Sequence, residues 1–141
     1  MHPTQPTMKL LMGLVADAVN LAEGAKLNVL GVFHYINASG MPYTHPHLAL
    51  ALEFEFHPYD KGKSFPIDIT CLDPDAKPLF ELQANIQVSA NHPVLKPIVP
   101  IPINIHNLVF PVAGNYKFEI SYQQEQIGEV PLEVITARPS S

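Results

Sequence analysis

Histidine is the residue type in this chain most capable of chemistry, because seven histidines occur among 141 residues and four of them cluster early. The pair His45 and His47 is followed by Glu53, and a strand that presents imidazoles and a carboxylate on one face can hold a single metal ion. The set of candidate metal ligands is His34, His45, His47, Glu53, Glu55 and His57. The six-residue step from His47 to Glu53 is long for such a site, so solvated histidines at loop and strand ends are the competing interpretation.

Glu53 and Glu55 are two residues apart, which places both carboxylates on one face of a strand with Cβ atoms about 7 Å apart. Paired carboxylates at such a separation can hydrolyse glycosidic bonds, but alternating glutamates are also how a half-exposed strand stays soluble. The sequence contains no nucleophile elbow, phosphate-binding loop or dinucleotide-binding turn. No catalytic residue and no cofactor is therefore predicted.

The longest well-punctuated connection, residues 37–47, has aromatic residues beside it and within it. Aromatic side chains on such loops offer rigid contact area at low entropic cost, and binding residues gather on loops. If the chain has a binding site, the contact residues expected there are Tyr35, Tyr43, His45 and His47.

The elements that would position these residues are strands. Residues 48–57 alternate strictly, with Leu48, Leu50, Leu52, Phe54 and Phe56 on one face. This period of two predicts a strand with one face in the core, while the other face, formed by the residues in between, is hydrated.

Seven further segments have strand character, separated by turn residues at intervals of about ten. The second of them, residues 27–36, is apolar on both faces, so it is either covered on both sides or faces a partner chain. Pro100 and Pro102 cannot donate to a neighbouring strand, which predicts either an edge strand or a strand that switches sheets. The apolar alternation changes parity near Asn107, where a bulge is expected. These features predict an all-β fold: an antiparallel sandwich of two sheets with about eight strands.

The segment AGNYKF, residues 113–118, places Tyr116 just after a turn glycine at the start of a strand. This arrangement resembles the tyrosine corner of immunoglobulin-like sandwiches, in which the hydroxyl bonds back to the chain. The chain has no tryptophan and has Phe118 where antibody domains have a cysteine, so the prediction is an immunoglobulin-like fold distinct from antibody domains.

Composition narrows the range of partners. A net charge of −5 with only eight Lys and Arg argues against nucleic acid as a partner. The single Cys71 lies in an apolar strand and has no partner for a disulfide, which favours a buried thiol and a cytoplasmic location. Residues 10–18 are interpreted as the first strand, with a secretory leader as the alternative, and no apolar run has the roughly 20 residues of a membrane span.

Longer motifs resemble an uncharacterised bacterial family of short β-sandwich proteins. They are ADAVNLAEGAKLNVLGVFHYI at residues 16–36, THPHLALALEFE at residues 44–55, FPVAGNYKFEI at residues 110–120 and VPLEV at residues 130–134. The resemblance covers nearly the whole chain, and it implies one domain with no established activity.

We expect one domain over residues 7–137 with flexible tails at residues 1–6 and 138–141. The leading functional hypothesis is a non-catalytic binding or protein-interaction module that acts through a sheet edge or an end loop, with self-association through the apolar second strand as one option. The alternative is a small metal-dependent enzyme or metal-binding protein that uses the strand and loop histidines. The sequence names no small-molecule ligand.

Overall fold

The computed structural model describes residues 8–136, so the tails expected at residues 1–6 and 138–141 lie outside the described residues. The described part contains nine strands and one short 3₁₀ helix, Pro58–Asp60. The strands are β1 (Lys9–Ala22), β2 (Lys26–Val32), β3 (Tyr35–Ala38), β4 (Tyr43–Glu55), β5 (Ser64–Leu72), β6 (Pro78–Gln87), β7 (Ile98–Phe110), β8 (Gly114–Tyr122) and β9 (Glu125–Thr136). No helix in this part of the chain is long and apolar enough to cross a membrane.

Two sheets pack face to face, which confirms the predicted all-β sandwich. One sheet has the strand order β2-β1-β4-β7 and the other β3-β9-β8-β5-β6. The strand predicted over residues 27–36 divides into β2 and β3, which belong to different sheets, and this raises the count from eight to nine. β3 pairs in parallel with β9, while the other pairings are antiparallel.

The core lies between the sheets and contains the predicted inward row of β4. Leu48, Leu50, Leu52 and Phe54 are fully buried, and Phe56 continues the row just beyond the strand. Inward residues of the other sheet complete the core, among them Ile67, Ile69, Phe118, Ile120 and Leu132. Burial of these side chains in place of water contact is the main stabilisation of the sandwich.

The outer face of β4 departs from the sequence expectation, because Ala49 and Ala51 are fully buried although they point away from the core. The hairpin formed by residues 17–31 folds over this face and packs Val19, Leu27 and Val29 against the two alanines. A second, smaller apolar cluster therefore lies outside the main core, and only small side chains fit beneath the hairpin.

The tyrosine corner predicted from AGNYKF is present. The Tyr116 hydroxyl donates to the Val112 carbonyl oxygen at 2.6 Å, and the ring packs edge-on against Phe110. This contact joins the start of β8 to the chain that leaves β7. Together with the two-sheet architecture, it makes the domain an immunoglobulin-like sandwich.

β7 is an edge strand, which is one of the two alternatives that its prolines predicted. Its buried set changes parity across Asn107, from Ile103 and Ile105 to Leu108 and Phe110. Asn107 has a φ of 53°, in the left-handed region that asparagine tolerates better than most residues. The register with β4 is continuous across this point, so the expected bulge is absent and the strand changes face without a shift in pairing.

Candidate functional site

The expected binding residues Tyr43 and His45 lie together at the start of β4. The Tyr43 hydroxyl is 3.1 Å from His45 Nδ1, and donates to it in the neutral tautomer that has its proton on Nε2. The Phe33 ring, in the link between β2 and β3, lies 5.9 Å from the His45 ring. Phe33 and Tyr43 also pack against the main core, which holds this aromatic group in place.

Burial among these rings lowers the pKa of His45 below its ordinary value, because the imidazolium loses hydration there. The Asp17 carboxylate acts in the opposite direction and favours the charged form. His45 is thus held toward the neutral state, as an acceptor for the Tyr43 hydroxyl.

The His47 ring contacts other protein groups through both of its nitrogens. Its Nδ1–H donates to the Asp17 carbonyl oxygen at 2.9 Å, and its Nε2 lies 3.1 Å from Asn104 Oδ1. The His106 ring packs at 4.8 Å from the His47 ring. Since both ring nitrogens have protein partners, His47 joins β1, β4 and β7 at the base of the hairpin.

The remaining histidines and aromatics of the predicted set are scattered. His34 precedes β3, and its carbonyl oxygen accepts from the Glu133 N–H at 3.1 Å. His57 follows the other end of β4 and stacks on the exposed Tyr59. Tyr35 is exposed on β3. Within residues 8–136, no group of three or more His, Cys, Asp or Glu side chains is close enough to hold a metal ion.

Glu53 lines a shallow cleft of about 540 Å³ on the outer face of the first sheet. The hairpin tip at Gly24 and Ala25 forms one wall, and Ile98 and Pro100 of β7 form another. The cleft offers one carboxylate among largely apolar surroundings. Its polar lining also includes Ser89, Asn91 and His92.

The loop that closes this cleft is held by His92. Its Nε2 lies 3.2 Å from the Ile98 carbonyl oxygen, and its Nδ1 accepts from the Val94 N–H at 3.2 Å. These two bonds require the proton on Nε2, where it donates to Ile98. His92 therefore has a structural role in shaping the loop.

Three of the exposed apolar side chains lie on the β1–β2 hairpin. Leu30 is 64% exposed, Leu21 51% and Val32 45%. Leu21 pairs with Leu27 and so lies on the face that packs toward β4, whereas Leu30 pairs with Ala18 on the opposite face. We call Leu30 and Val32, both in β2, the hairpin surface. β2 pairs only with β1, so its other edge is free in the described structure. β2, whose sequence is apolar on both faces, is therefore an edge strand with one exposed edge.

Sequence reasoning missed Asp17, Asn104 and His106, which complete the surroundings of His45 and His47. Asp17 is 30 positions from His47 and Asn104 is 57 positions from it. No local pattern marks such contacts. The one sequence signal for Asp17 is Gly31, a glycine within the apolar β2 segment. It has a φ of 70°, and its lack of a side chain leaves room for the Asp17 carboxylate.

Cys71 lies in β5 and is fully buried, as predicted. Burial first, and the Asp73 carboxylate second, raise the pKa of its thiol to about 12. A thiol in this state carries almost no thiolate at neutral pH, so it is not a nucleophile.

The resemblance to an uncharacterised family is confirmed by a family model, described as a family of unknown function (DUF6941), that matches residues 11–135. No curated protein matches the chain.

Among solved structures, the chain is similar to the Pseudomonas fluorescens alkylpurine DNA glycosylase AlkC, bound to DNA containing an abasic site analog. The TM-score is 0.52 at 10% identity, and the match covers 93% of this chain but 31% of that one. It is also similar to an immunoglobulin-like protein from Pseudomonas aeruginosa, with a TM-score of 0.42 at 10% identity over 94% of this chain and 99% of that one. At these identities the likeness to AlkC concerns the fold alone.

Proposed function

The chain belongs to the DUF6941 family, whose description states no activity, and we propose that its domain is a non-catalytic protein-binding module that contacts its partner through the free edge of β2. The observation that carries this proposal is the exposure of Leu30, 64%, on an outermost strand. Exposed apolar edge strands invite pairing with another chain.

The edge of β2 has few of the features that natural proteins use to prevent such pairing. It contains no proline, and its only lysine, Lys26, is at the strand's first position. By contrast, β7 has Pro100 and Pro102, and β3 is only four residues long. β2 can therefore accept an extended segment whose main chain pairs with its edge and whose apolar side chains cover Leu30 and Val32.

The hairpin is also supported from beneath. Val19, Leu27 and Val29 pack on the alanines of β4, and His47 holds the carbonyl oxygen of Asp17 at the hairpin base. A preordered edge loses less conformational entropy on binding than a flexible loop would.

A nucleic-acid role, such as the DNA binding of AlkC, is not part of the proposal. The chain has 13 Asp and Glu against eight Lys and Arg, and phosphate recognition requires a basic surface. No observation favours the metal-dependent alternative, since the described residues form no cluster that could hold an ion.

Site-specific photo-crosslinking in the native cells tests the proposal. A benzophenone amino acid at position 30 is expected to form an adduct with one defined protein, while the same probe at Asn115 on the opposite sheet is not. The adduct should disappear when Val32→Lys is introduced beside the probe, and it should form again from the two purified proteins. The same adducts at positions 30 and 115, or none at position 30, would refute the proposal.

A further inference from the structure

A second free edge belongs to β6, the outermost strand of the five-stranded sheet. β6 is ten residues long, pairs within residues 8–136 only with β5, and presents four exposed polar side chains. They are Glu81, Gln83, Asn85 and Gln87.

The main-chain groups of these same residues point outward. Val88, just after β6, donates its N–H to the Lys63 carbonyl oxygen at 3.0 Å and accepts from the Gly62 N–H at 2.8 Å, so its peptide groups face the β5 side. Peptide direction alternates along a strand, and the register with β5 is continuous from Phe80 to Gln87. The N–H and C=O groups of Glu81, Gln83 and Asn85 therefore face away from β5 and form the free edge.

This edge lacks the features that protect the edges of β7 and β3 from pairing. Beyond its first residue, Pro78, it has no proline, and it has no lysine. The two prolines of β7 interrupt its donor row, and β3 is short. A long unprotected edge is a template for another strand.

The sequence of β6 is complementary to itself in antiparallel pairing. With Gln83 opposite Gln83 of a second copy, Glu81 lies opposite Asn85, so no like charges meet. On the inner face, Leu82 then lies opposite Ala84. These two residues and Phe80 are only partly buried in the single chain, and a second copy would cover them further.

We propose that two copies of this chain pair antiparallel through β6, centred on Gln83, and join their five-stranded sheets into one continuous sheet. The inference goes beyond the proposed function, because it uses the sheet opposite the hairpin surface and a different occupant. The partner here is a second copy, so the test needs only the purified full chain.

Sedimentation equilibrium over a concentration series measures the pairing. Gln83→Pro removes an outward N–H while leaving the bonds to β5, and we expect it to raise the dimer dissociation constant at least about tenfold, with Gln83→Ala as the control. Asn85→Lys and Asn85→Glu form a matched pair of exposed substitutions. Lysine opposite Glu81 is expected to tighten the dimer, and glutamate to weaken it.

Leu30→Lys is expected to leave the dimer intact, which separates this inference from the proposed function. Equal effects of Asn85→Lys and Asn85→Glu would overturn the register. A monomer at the highest soluble concentration of the unchanged protein would overturn the inference altogether. A dimer lost in Leu30→Lys but kept in Gln83→Pro would assign self-association to β2 and likewise overturn it.

Discussion

His47 Nδ1 lies 2.9 Å from the Asp17 carbonyl oxygen and thereby joins the base of the β1–β2 hairpin to β4. Asp17 is the point at which β1 stops pairing with β4 and continues with β2 alone. The bond therefore stands at the junction between the sandwich body and the hairpin that we propose as the binding surface.

Replacing His47 with alanine is expected to loosen the hairpin without unfolding the domain. The substitution removes the bond to Asp17 and the contact to Asn104 at a partly exposed site, and each hydrogen bond lost should lower the free energy of unfolding by about 0.5–1.5 kcal/mol. Hydrogen exchange should show faster exchange for β2 amides than in the unchanged protein, with little change in β5 and β8. His106→Ala, which removes only the packed ring, is the control. Uniform acceleration across both sheets would contradict a local role.

The His47 contact illustrates where sequence reasoning succeeded and where it stopped. Alternation over Leu48–Phe56 predicted the inward face of β4, because a period of two is a local property of the chain. The same alternation assigned Ala49 and Ala51 to water, and they are buried. Which distant element covers a face depends on long-range packing, which the pattern of one strand does not encode.

The division of residues 27–36 into β2 and β3 has a similar cause. Gly31 and the residues up to His34 redirect the chain, so that β3 leaves the first sheet and pairs with β9. The apolar pattern runs without interruption through this point, and it predicted one strand. The tyrosine corner could be predicted, because its glycine, its tyrosine and its hydrogen-bond acceptor lie within five residues of one another.

Acidification is expected to remove stability that neutral His45 contributes. Burial holds its folded-state pKa below the unfolded value of about 6.5, so the contribution is complete above that pH and is lost as the pH falls through the folded pKa. Urea unfolding at a series of pH values between neutral and acidic measures this loss. The free energy of unfolding of His45→Gln should decrease less over the same range than that of the unchanged protein. Asp17→Asn removes the opposing charge, so NMR titration should find an even lower His45 pKa. A rise in that pKa would contradict the assignment.

Removing the Tyr116 hydroxyl is expected to destabilise the domain by about 0.5–1.5 kcal/mol, because the Val112 carbonyl oxygen loses its donor. Burial raises the pKa of Tyr116, so the unfolded chain ionises first and stability falls as the pH rises above about 10. In urea unfolding, the free energy of unfolding of Tyr116→Phe should lack the part of the alkaline decrease that comes from Tyr116. Tyr122→Phe, a partly buried tyrosine on the same strand, should change stability less. Equal losses in the two variants would show that the corner bond has no special contribution.

Cys71 is expected to react with Ellman's reagent only after unfolding, since its thiol is fully buried and its pKa is raised to about 12. Absorbance at the thiolate product's wavelength should show no fast phase in native buffer and one thiol per chain in urea. An added surface cysteine, Gln126→Cys, controls for reagent activity. Fast labelling of the unchanged protein under native conditions would show that β5 opens, in disagreement with the structure.

Gly13 is expected to be required for the close approach of β1 to β9. A Cβ atom built at this position would lie 2.6 Å from Val130 Cγ2, a branched side chain that has little freedom to move. Gly13→Ala should therefore destabilise the domain by about 1–3 kcal/mol through overpacking, measured by urea unfolding. Gly40→Ala, where nothing lies within 4 Å of the new atom, is the neutral control.

The loss of stability in the double variant Gly13→Ala, Val130→Ala should be smaller than the sum of the losses in the two single variants, because the second substitution removes the atom that the first one meets. Strict additivity would show that the two residues do not contact each other and that β1 and β9 are further apart than in the structure.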